Sequence, residues 1–257
     1  MAFSEFKDEQ DFMTQCGYTH EGLWYPRVTK IVDIKSKPAL YMFYGEVGFH
    51  QGKAISAKSA EEGTAVHEAI EKIMIGQKPG NMPANIVPAV RAFLDFIKDV
   101  KIKVNPEHVE RRIVNTEHRY AGTIDTMATI DGRFGVLDIK TSEAVYRDYN
   151  IQTSAYMDAL TREFKDLTTR WILRIDQAQQ CKNCNATRRT KGGREKIKNN
   201  GKTPCFRGEH EWGETKGIIE LKEIESPWQT DFKAFLGAKQ LWEWEHADWL
   251  RKINYLK

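Results

Sequence analysis

The sequence predicts a mixed α/β fold in which helices precede and follow a group of short strands. Three observations predict it: apolar residues recur at helical spacing over 62–75 and 84–99, strand-like alternation runs through 108–141, and an Asp-Gly pair separates two apolar runs within that segment. The chain has 257 residues, of which 40% are hydrophobic and 29% charged. These values are typical of a globular protein that buries one large core or a core with an inserted module.

Each element has its own signal in the sequence. The first two helices carry apolar stripes, over Val66–Met74 in one and Val90–Ile97 in the other. The last helix begins at Ser226-Pro227, which suits an N-cap followed by a first-turn proline. The predicted elements are helices over 62–75 and 84–99, from about Tyr149 and from Ser226, and strands over 108–115, 119–130, 134–141, 169–175 and 217–224.

These elements divide the chain into three expected parts. Residues 1–58 form an N-terminal arm with helices, 59–177 and 216–257 form the core, and 178–215 form an insert between two core strands. The insert is rich in Lys and Arg and poor in apolar residues, so its composition differs from that of the core on either side.

The centre of the predicted core is a hairpin whose turn is Asp131-Gly132. Asp-Gly between two apolar runs favours a two-residue turn, which fixes the pairing of the two arms. In that register Asp125 lies directly opposite Asp138, with the two side chains on one face and ~5 Å apart. Lys140 follows Asp138 by two residues and shares its face of the sheet. A three-residue turn would shift this register by one.

Two acids that face each other across a hairpin repel, and the second arm is otherwise mostly apolar, as expected for a strand covered on both faces. Buried acids need a cation or a shared proton. A divalent cation between Asp125 and Asp138, completed by the Ile139 carbonyl and waters, suits Mg²⁺ or Mn²⁺. Such a cation polarises a phosphoryl oxygen, and Lys140 steadies the developing charge. The pattern predicts a phosphodiester hydrolase; the alternative is a solvated face that happens to hold two acids and a lysine.

Three motifs in this region carry a family resemblance: Gly122-Thr-Ile-Asp125, Asp138-Ile-Lys-Thr141 and Gln152-Thr-Ser-Ala-Tyr156. In this order they resemble the RecB-type branch of the PD-(D/E)XK nuclease superfamily, which includes phage exonucleases, CRISPR-associated nucleases and mitochondrial genome maintenance exonucleases. The match spans roughly residues 62–160. It implies a restriction-endonuclease-like core of helix, three-stranded meander, helix and strand, and a metal-dependent activity on DNA.

The resemblance also implies two further metal ligands. The segment Gly63-Thr-Ala-Val-His67 resembles the family's Gly-x-x-x-His, which implies that His67 approaches the metal; the alternative is a hydrogen-bonded core histidine. Glu110 matches the acidic residue that the family often places before Gly-x-x-Asp. Glu117 is a rival for that role, and either glutamate has the alternative of being surface charge.

Gln152 and Tyr156 are four residues apart and therefore project from one side of a helix. The resemblance implies that this face holds the DNA strand and orients Lys140. The alternative is an amide and a phenol that bond to each other where the helix meets the sheet. The expected catalytic set is thus Asp125, Asp138, Lys140, Gln152 and Tyr156, and the expected Mg²⁺ set is His67, Glu110, Asp125, Asp138 and Ile139.

The insert carries a second set of candidate metal ligands, which we call the Cys/His cluster. Cys181 and Cys184 form a Cys-x-x-Cys pair, and Cys205 and His210 follow. Thiolates on a tight turn, with a second pair to close a tetrahedron, are typical of a Zn²⁺ site. Because the segment has almost no apolar residues, metal binding would supply its missing stability.

The insert is also strongly basic. Residues 181–210 hold nine Lys or Arg and two acids, a net charge of +7 that leaves −4 for the rest of the chain. We expect a finger that projects from the core and grips phosphates, and the DNA-binding candidates are Arg188, Arg189, Lys191 and Arg194. Two alternatives stay open: a disordered loop with reduced cysteines, and an iron–sulfur cluster in which Cys16 is an early ligand, as in some proteins of the resembled family.

No apolar run approaches the length of a membrane span, and the first ten residues are too acidic for a signal or transit peptide. We therefore expect a cytoplasmic protein that binds DNA and no membrane; protein partners are not predicted. The expected function is a Mg²⁺-dependent deoxyribonuclease, an exonuclease on DNA ends or single strands in recombination, repair or phage DNA processing. The alternatives are a non-catalytic nucleic-acid-binding protein, a CRISPR-adaptation-type nuclease with an iron–sulfur cluster, and a restriction-type endonuclease, for which no specificity domain is evident.

Overall fold

The structure, a computed structural model, describes residues 6–200 and 205–256. Its helices are α1 (Glu9–Cys16), α2 (Val28–Val32), α3 (Pro38–Val47), α4 (Phe49–Met74), α5 (Val87–Asp99), α6 (Asp148–Leu160), α7 (Trp228–Glu245) and α8 (Ala247–Lys252). Its strands are β1 (Gly17–His20), β2 (Leu23–Pro26), β3 (Ile102–Val104), β4 (Arg111–Asn115), β5 (Tyr120–Ile124), β6 (Thr126–Ile130), β7 (Arg133–Lys140), β8 (Leu167–Gln180), β9 (Thr187–Lys191), β10 (Arg194–Lys198) and β11 (Lys216–Glu223). The predicted arm and insert each include residues outside this description, 1–5 and 201–204.

The main sheet is mixed, which confirms the predicted mixed α/β class. Its strand order is β10-β9-β8-β7-β6-β3, and β11 pairs with the edge of β8 opposite to β7. Strands β7 and β8 are parallel and are connected through α6, whereas β11 runs antiparallel to β8. The long strand β8 pairs with β7 in its first half and with β9 at Gln179 and Gln180. The hairpin β9–β10 therefore lies beyond the carboxyl end of β7.

The Asp131-Gly132 turn has the predicted register. Both turn residues have positive φ, 49° and 79°, as a type I′ turn requires. The paired residues run outward from Ile130↔Arg133 to Thr126↔Leu137, so the two-residue turn is confirmed. The ladder stops there, one residue short of Asp125.

The predicted strand 119–130 is wrong as a single element. It is divided at Asp125 into β5, which pairs with β4, and β6, which belongs to the main sheet. The Asp125 carboxylate accepts the backbone N–H of Ile139 at 2.6 Å, and the Asp125 carbonyl accepts that of Glu110 at 2.9 Å. Because a side-chain oxygen here takes the place of a ladder carbonyl, the chain bends and Asp125 leaves the strand.

Two apolar cores lie on the faces of the main sheet. Met127 and Val136 face a core shared by the N-terminal arm, α6 and α7, whereas Leu137 and Ile139 face a core under α4 and α5. The arm contributes aromatic side chains to the first core, among them Phe12 and Trp24, which contact Trp242 of α7. The arm is thus packed into the fold.

Two predicted boundaries fall inside continuous elements. Helix α4 begins at Phe49, thirteen residues before the predicted start, and runs across the expected division at residue 58. Its first turns are mostly exposed, so they carry no apolar stripe from which a helix could be predicted. Strand β8 likewise runs past residue 177 into the predicted insert. No helix of the described residues is both long and apolar enough to cross a membrane.

Candidate active site and candidate metal centre

Asp138 is the most enclosed side chain of the candidate active site, with 1% of its surface exposed. Lys140 Nζ lies 2.5 Å from its Oδ2, and Gln152 Nε2 donates to its Oδ1 at 3.1 Å. The same amide nitrogen lies 2.9 Å from Tyr156 Oη, to which it donates. Gln152 and Tyr156 therefore form a hydrogen bond with each other, as the alternative to a DNA-binding face predicted. Gln152 also bonds to Asp138 of the predicted site. Asp138 Oδ1 thus accepts a hydrogen bond, whereas the buried Oδ2 has the ion pair with Lys140 and no hydrogen bond from the described residues.

Asp125 approaches this pair from the bend between β5 and β6. Its Oδ2 accepts the Ile139 N–H, so the bend holds Asp125 against the strand that carries Asp138 and Lys140. His67 of α4 reaches the same oxygen, with its Nδ1 at 3.9 Å. Asp125 and Asp138 are thus brought together by the backbone of Ile139, although they are not a ladder pair.

Glu71 is a candidate ligand that the sequence reasoning missed. His67, Glu71 and Asp125 each offer one ligand atom, and these atoms all lie within 4.8 Å of one another. Glu71 Oε1 is buried and has no hydrogen-bond partner among the described residues. Because Glu71 follows His67 by four residues on α4, the helical spacing was the signal that could have identified it.

Glu110 and Glu117 occupy different surroundings. Burial raises the pKa of Glu71 to about 8, and the charge of Glu110 is the next cause, so Glu110 faces the same cluster of acids. Glu117 pairs instead with Arg162 at 2.7 Å, on an exposed part of the surface. The structure therefore brings Glu110 to the site and leaves Glu117 as surface charge. Glu110 is exposed and lies outside the group of three close ligand atoms.

The site concentrates negative charge where little water reaches it. Burial raises the pKa of Asp138 to about 6, although Lys140 opposes that effect, and burial likewise raises the pKa of Asp125. Burial, reinforced by the Lys140 charge, lowers the pKa of His67 to about 4. The imidazole is therefore neutral at neutral pH and can act as a ligand. Carboxylate oxygens, two of which are buried without a hydrogen bond from the described residues, and a neutral imidazole fit a hard divalent cation such as Mg²⁺ or Mn²⁺.

Two clefts open beside this site. An acidic cleft runs along α4 and contains His67, Glu71 and Glu110. A cleft of about 670 Å³ lies between α3 and the start of α6, within the range of about 300–1,000 Å³ for ligand sites. We call the latter the aromatic cleft; its apolar and aromatic lining consists of Val32, Pro38, Ala39, Leu40, Phe43, Tyr146 and Tyr149. Gln152, which contacts Asp138, also lines it.

The four residues of the Cys/His cluster come together and could hold a metal ion. Their ligand atoms all lie within 4.8 Å of one another, with Cys181 Sγ 3.7 Å from Cys205 Sγ and Cys184 Sγ 3.3 Å from His210 Nδ1. A tetrahedral Zn²⁺ with Zn–S near 2.3 Å and Zn–N near 2.1 Å separates its ligand atoms by roughly 3.5–3.8 Å. The four residues therefore fit a tetrahedral metal.

The Cys-x-x-Cys turn is shaped to favour thiolate. Burial raises the pKa of Cys181, but hydrogen bonds from the backbone N–H groups of Asn183 and Cys184, together with those of the His210 and Cys184 side chains, lower it to about 6. Asn185 closes the turn with a φ of 62°. Cys16 lies elsewhere, at the end of α1 in the aromatic core, and is not in the group. The geometry therefore gives no support to the alternative in which Cys16 is an early ligand of an iron–sulfur cluster.

The expectation of a projecting finger is wrong. Gly192, at the turn of hairpin β9–β10, donates its N–H to Glu62 of α4 at 3.0 Å, so the tip of the hairpin lies on the core. The four basic candidates all contact the protein itself: Arg188 donates to Gln179 at 2.8 Å, Arg189 to Asp176 at 2.7 Å, Lys191 to Thr141 at 2.7 Å and Arg194 to Glu46 at 2.8 Å. The high charge of the insert predicted a segment surrounded by solvent. In the structure its basic side chains instead pair with acids and carbonyl oxygens of the core. Their contact with DNA stays a prediction.

A comparison with known protein families found no family model that matches this chain, and a comparison with curated proteins found no similar sequence. The functional interpretation therefore depends on the motifs in the sequence and on the geometry of the described residues.

Proposed function

We propose that this protein is a Mg²⁺-dependent deoxyribonuclease with a restriction-endonuclease-like core and a PD-(D/E)XK-type site. The observation that carries the proposal is the buried Asp138–Lys140 pair, held at 2.5 Å with Asp125 bonded to the intervening Ile139. Burying two acids beside one lysine costs stability unless a further cation or proton compensates them. Such a cost is typical of a site kept for chemistry.

Each residue has a distinct role in this proposal. Asp125, Asp138, His67 and Glu71 would hold the cation, with the Ile139 carbonyl and Glu110 as the further predicted ligands. Mg²⁺ bound there supplies a Lewis acid and a more acidic water. The Lys140 ammonium, fixed against Asp138, steadies the attacking water and the negative charge that develops on the phosphoryl oxygens. Gln152 keeps Asp138 and Tyr156 in place through its two hydrogen bonds.

The aromatic cleft supports single-stranded DNA or a frayed end as the substrate. Tyr146 is 48% exposed, and the ring of Tyr149 lies 5.1 Å from the Lys140 ammonium. Aromatic side chains stack on unpaired bases, at about 1–3 kcal/mol per base, whereas paired bases are not available to them. A strand that stacks in this cleft passes Gln152 and brings a phosphate to Lys140.

The proposal is tested with purified protein and end-labelled DNA in four forms: linear and circular, single- and double-stranded. We expect Mg²⁺ to support degradation of linear single strands from an end, circles to remain intact, and a chelator to stop the reaction. Binding of DNA without any cleavage in Mg²⁺ or Mn²⁺ would replace this proposal with the non-catalytic binding protein. Cleavage of circles would overturn only the exonuclease assignment.

Glu71→Gln is expected to weaken Mn²⁺ binding by roughly 10- to 100-fold, because it removes one carboxylate from the group around His67 and Asp125. Calorimetric titration with Mn²⁺ measures this. Glu61→Gln is the matched control, since Glu61 is an exposed acid on the same helix that does not line the acidic cleft. Equal affinities in the two variants would remove Glu71 from the ligand set.

We further propose that the Cys/His cluster binds Zn²⁺. Elemental analysis of the purified chain is expected to give one zinc per protein and no iron. The double variant Cys184→Ser with Cys205→Ser should lose the zinc, while Cys16→Ala, a change in the distant aromatic core, should retain it. Iron with a visible chromophore, or zinc that persists in the double variant, would contradict the assignment.

A further inference from the structure

The hairpin β9–β10 connects the Cys/His cluster with the candidate active site. Cys181 and Cys184 directly precede β9, and Cys205 and His210 follow β10. The side chains of β9 reach the end of β7, where Asp138 and Lys140 lie. If the hairpin becomes less ordered, both the Cys/His cluster and the candidate active site are therefore affected.

Two basic residues of β9 donate hydrogen bonds to Thr141, the residue that follows Lys140. Lys191 Nζ donates to Thr141 Oγ1 at 2.7 Å and also contacts the Thr141 carbonyl. Arg189 donates to the same carbonyl at 3.2 Å, while its Nε holds Asp176 of β8 at 2.7 Å. Because Lys140 is the last residue of β7, these bonds hold the free end of the strand that carries the lysine of the site.

The tip of the hairpin is fitted closely to α4. A Cβ at Gly192 would lie 2.2 Å from Ser59 Oγ and 2.3 Å from the Ile55 carbonyl, so only glycine fits there. The neighbouring Gly193 has similar positive φ, 78° against 60°, but a Cβ there would come no closer than 3.5 Å to Lys58 Nζ. These two glycines differ in packing and share the same backbone requirement.

The hairpin β9–β10 has few stabilising interactions within itself. Its strands are Thr-Arg-Arg-Thr-Lys and Arg-Glu-Lys-Ile-Lys, and none of these side chains is buried. It pairs with β8 at two positions only, and its ion pairs other than Arg189–Asp176 each have an exposed partner, so they contribute about 0–1 kcal/mol each. An isolated two-stranded hairpin is marginally stable at best in water. A metal at its base would supply the missing stability.

We propose that Lys191 is a positioning residue of the hydrolytic site, and that the metal in the Cys/His cluster keeps it in place, so that metal occupancy of the cluster controls the rate of hydrolysis. This rests on the proposed nuclease function. Lys191 acts through Thr141 on Lys140, and it binds no DNA phosphate in this role.

The kinetic test compares variants of the zinc-loaded protein on linear single-stranded DNA. We expect Lys191→Met to lower kcat by roughly 100-fold, as for a misplaced catalytic group, with KM and its salt dependence nearly unchanged. Lys191→Arg should recover most of the activity, and Lys198→Met, a change of an exposed lysine on the same hairpin, should have little effect. A raised KM with a weaker salt dependence would make Lys191 a phosphate contact and overturn the proposal.

Gly192→Ala and Gly193→Ala form a second pair that leaves every charge in place. Both put a side chain on positive φ, but only the first collides with α4. We expect Gly192→Ala to lower kcat as Lys191→Met does, and Gly193→Ala to leave it within about threefold of the parent. Equal effects of the two alanines would contradict a role for hairpin docking.

Amide hydrogen exchange tests the coupling without any activity. Removal of zinc by a chelator, or Cys184→Ser with Cys205→Ser, is expected to speed exchange in β9–β10 and in residues 139–145, while the amides of α7 stay protected. Lys191→Met should speed exchange in residues 139–145 with zinc retained. Unchanged protection of 139–145 after zinc loss would overturn the proposal even if the protein is a nuclease. Faster exchange there in a protein that cleaves nothing would leave the coupling intact and refute the nuclease function.

Discussion

Asp138→Asn is expected to reduce Mg²⁺-dependent DNA cleavage on the order of 10³-fold. The substitution keeps the shape of the side chain and removes a charged ligand for the cation. It also places a neutral amide against the Lys140 ammonium in a position that is 1% exposed. Initial rates on end-labelled single-stranded DNA measure the loss.

The control for this variant is Asp166→Asn, a change of an exposed aspartate before β8. It should leave cleavage unchanged. Binding of the labelled strand in chelator should be similar for Asp138→Asn and the parent, because in the proposed site the lost group contacts the cation and no phosphate. Near-normal cleavage by Asp138→Asn would end the assignment of this site.

Lys140→Met is expected to lower cleavage by roughly 10²- to 10³-fold while Mn²⁺ binding remains. The methionine approximates the apolar stem of the lysine and removes the ammonium that, in the proposed mechanism, steadies the attacking water and the phosphoryl charge. Asp138 then has no counter-charge in a buried position, so the metal-free protein should also unfold at a lower temperature. Parallel measurements of cleavage, Mn²⁺ affinity and thermal unfolding separate these effects.

Lys222→Met serves as the matched control, since Lys222 is exposed on β11 at the other edge of β8. It should alter none of the three measurements. If Lys140→Met cleaved DNA at the parental rate, Lys140 would be only a structural partner of Asp138.

The sequence predicted the part of the site that depends on local rules. An Asp-Gly pair between apolar runs strongly favours a type I′ turn, so the sequence predicted the register of β6 and β7 that the structure has. Alternation then placed Asp138 and Lys140 on one face, where the structure pairs them at 2.5 Å. The bend at Asp125 was not predictable in this way, because it depends on a bond to Ile139 of another strand.

The rest depended on contacts between distant segments. Glu71 could be proposed from its spacing to His67, but nothing in the sequence shows that Asp125 lies beside it. The strands of the hairpin β9–β10 show no alternation of apolar and polar residues, so the hydrophobic pattern did not predict them. The charges of the hairpin suggested a finger surrounded by solvent. Acids and carbonyls that lie far away in the sequence, such as Glu62 and Thr141, hold it on the core instead.

Similar reasons explain why the expected boundaries shifted. The division at residue 58 assumed that the arm is separate, yet Phe12 and Trp24 complete the core against α7. Only the fold reveals that α3, which has no buried residue, stands beside Tyr146 and forms the aromatic cleft. The cleft is therefore a product of packing between segments a hundred residues apart.

The proposed function requires that the carboxylates of Asp125 and Asp138 share a divalent cation. Crystals of the protein grown with Mn²⁺ and measured at an X-ray energy where manganese scatters anomalously test it directly. We expect an anomalous peak in contact with both carboxylates, and no such peak in crystals of Asp138→Asn. A peak confined to surface acids, or none at all beside Asp125 and Asp138, would contradict a cation shared by these two carboxylates.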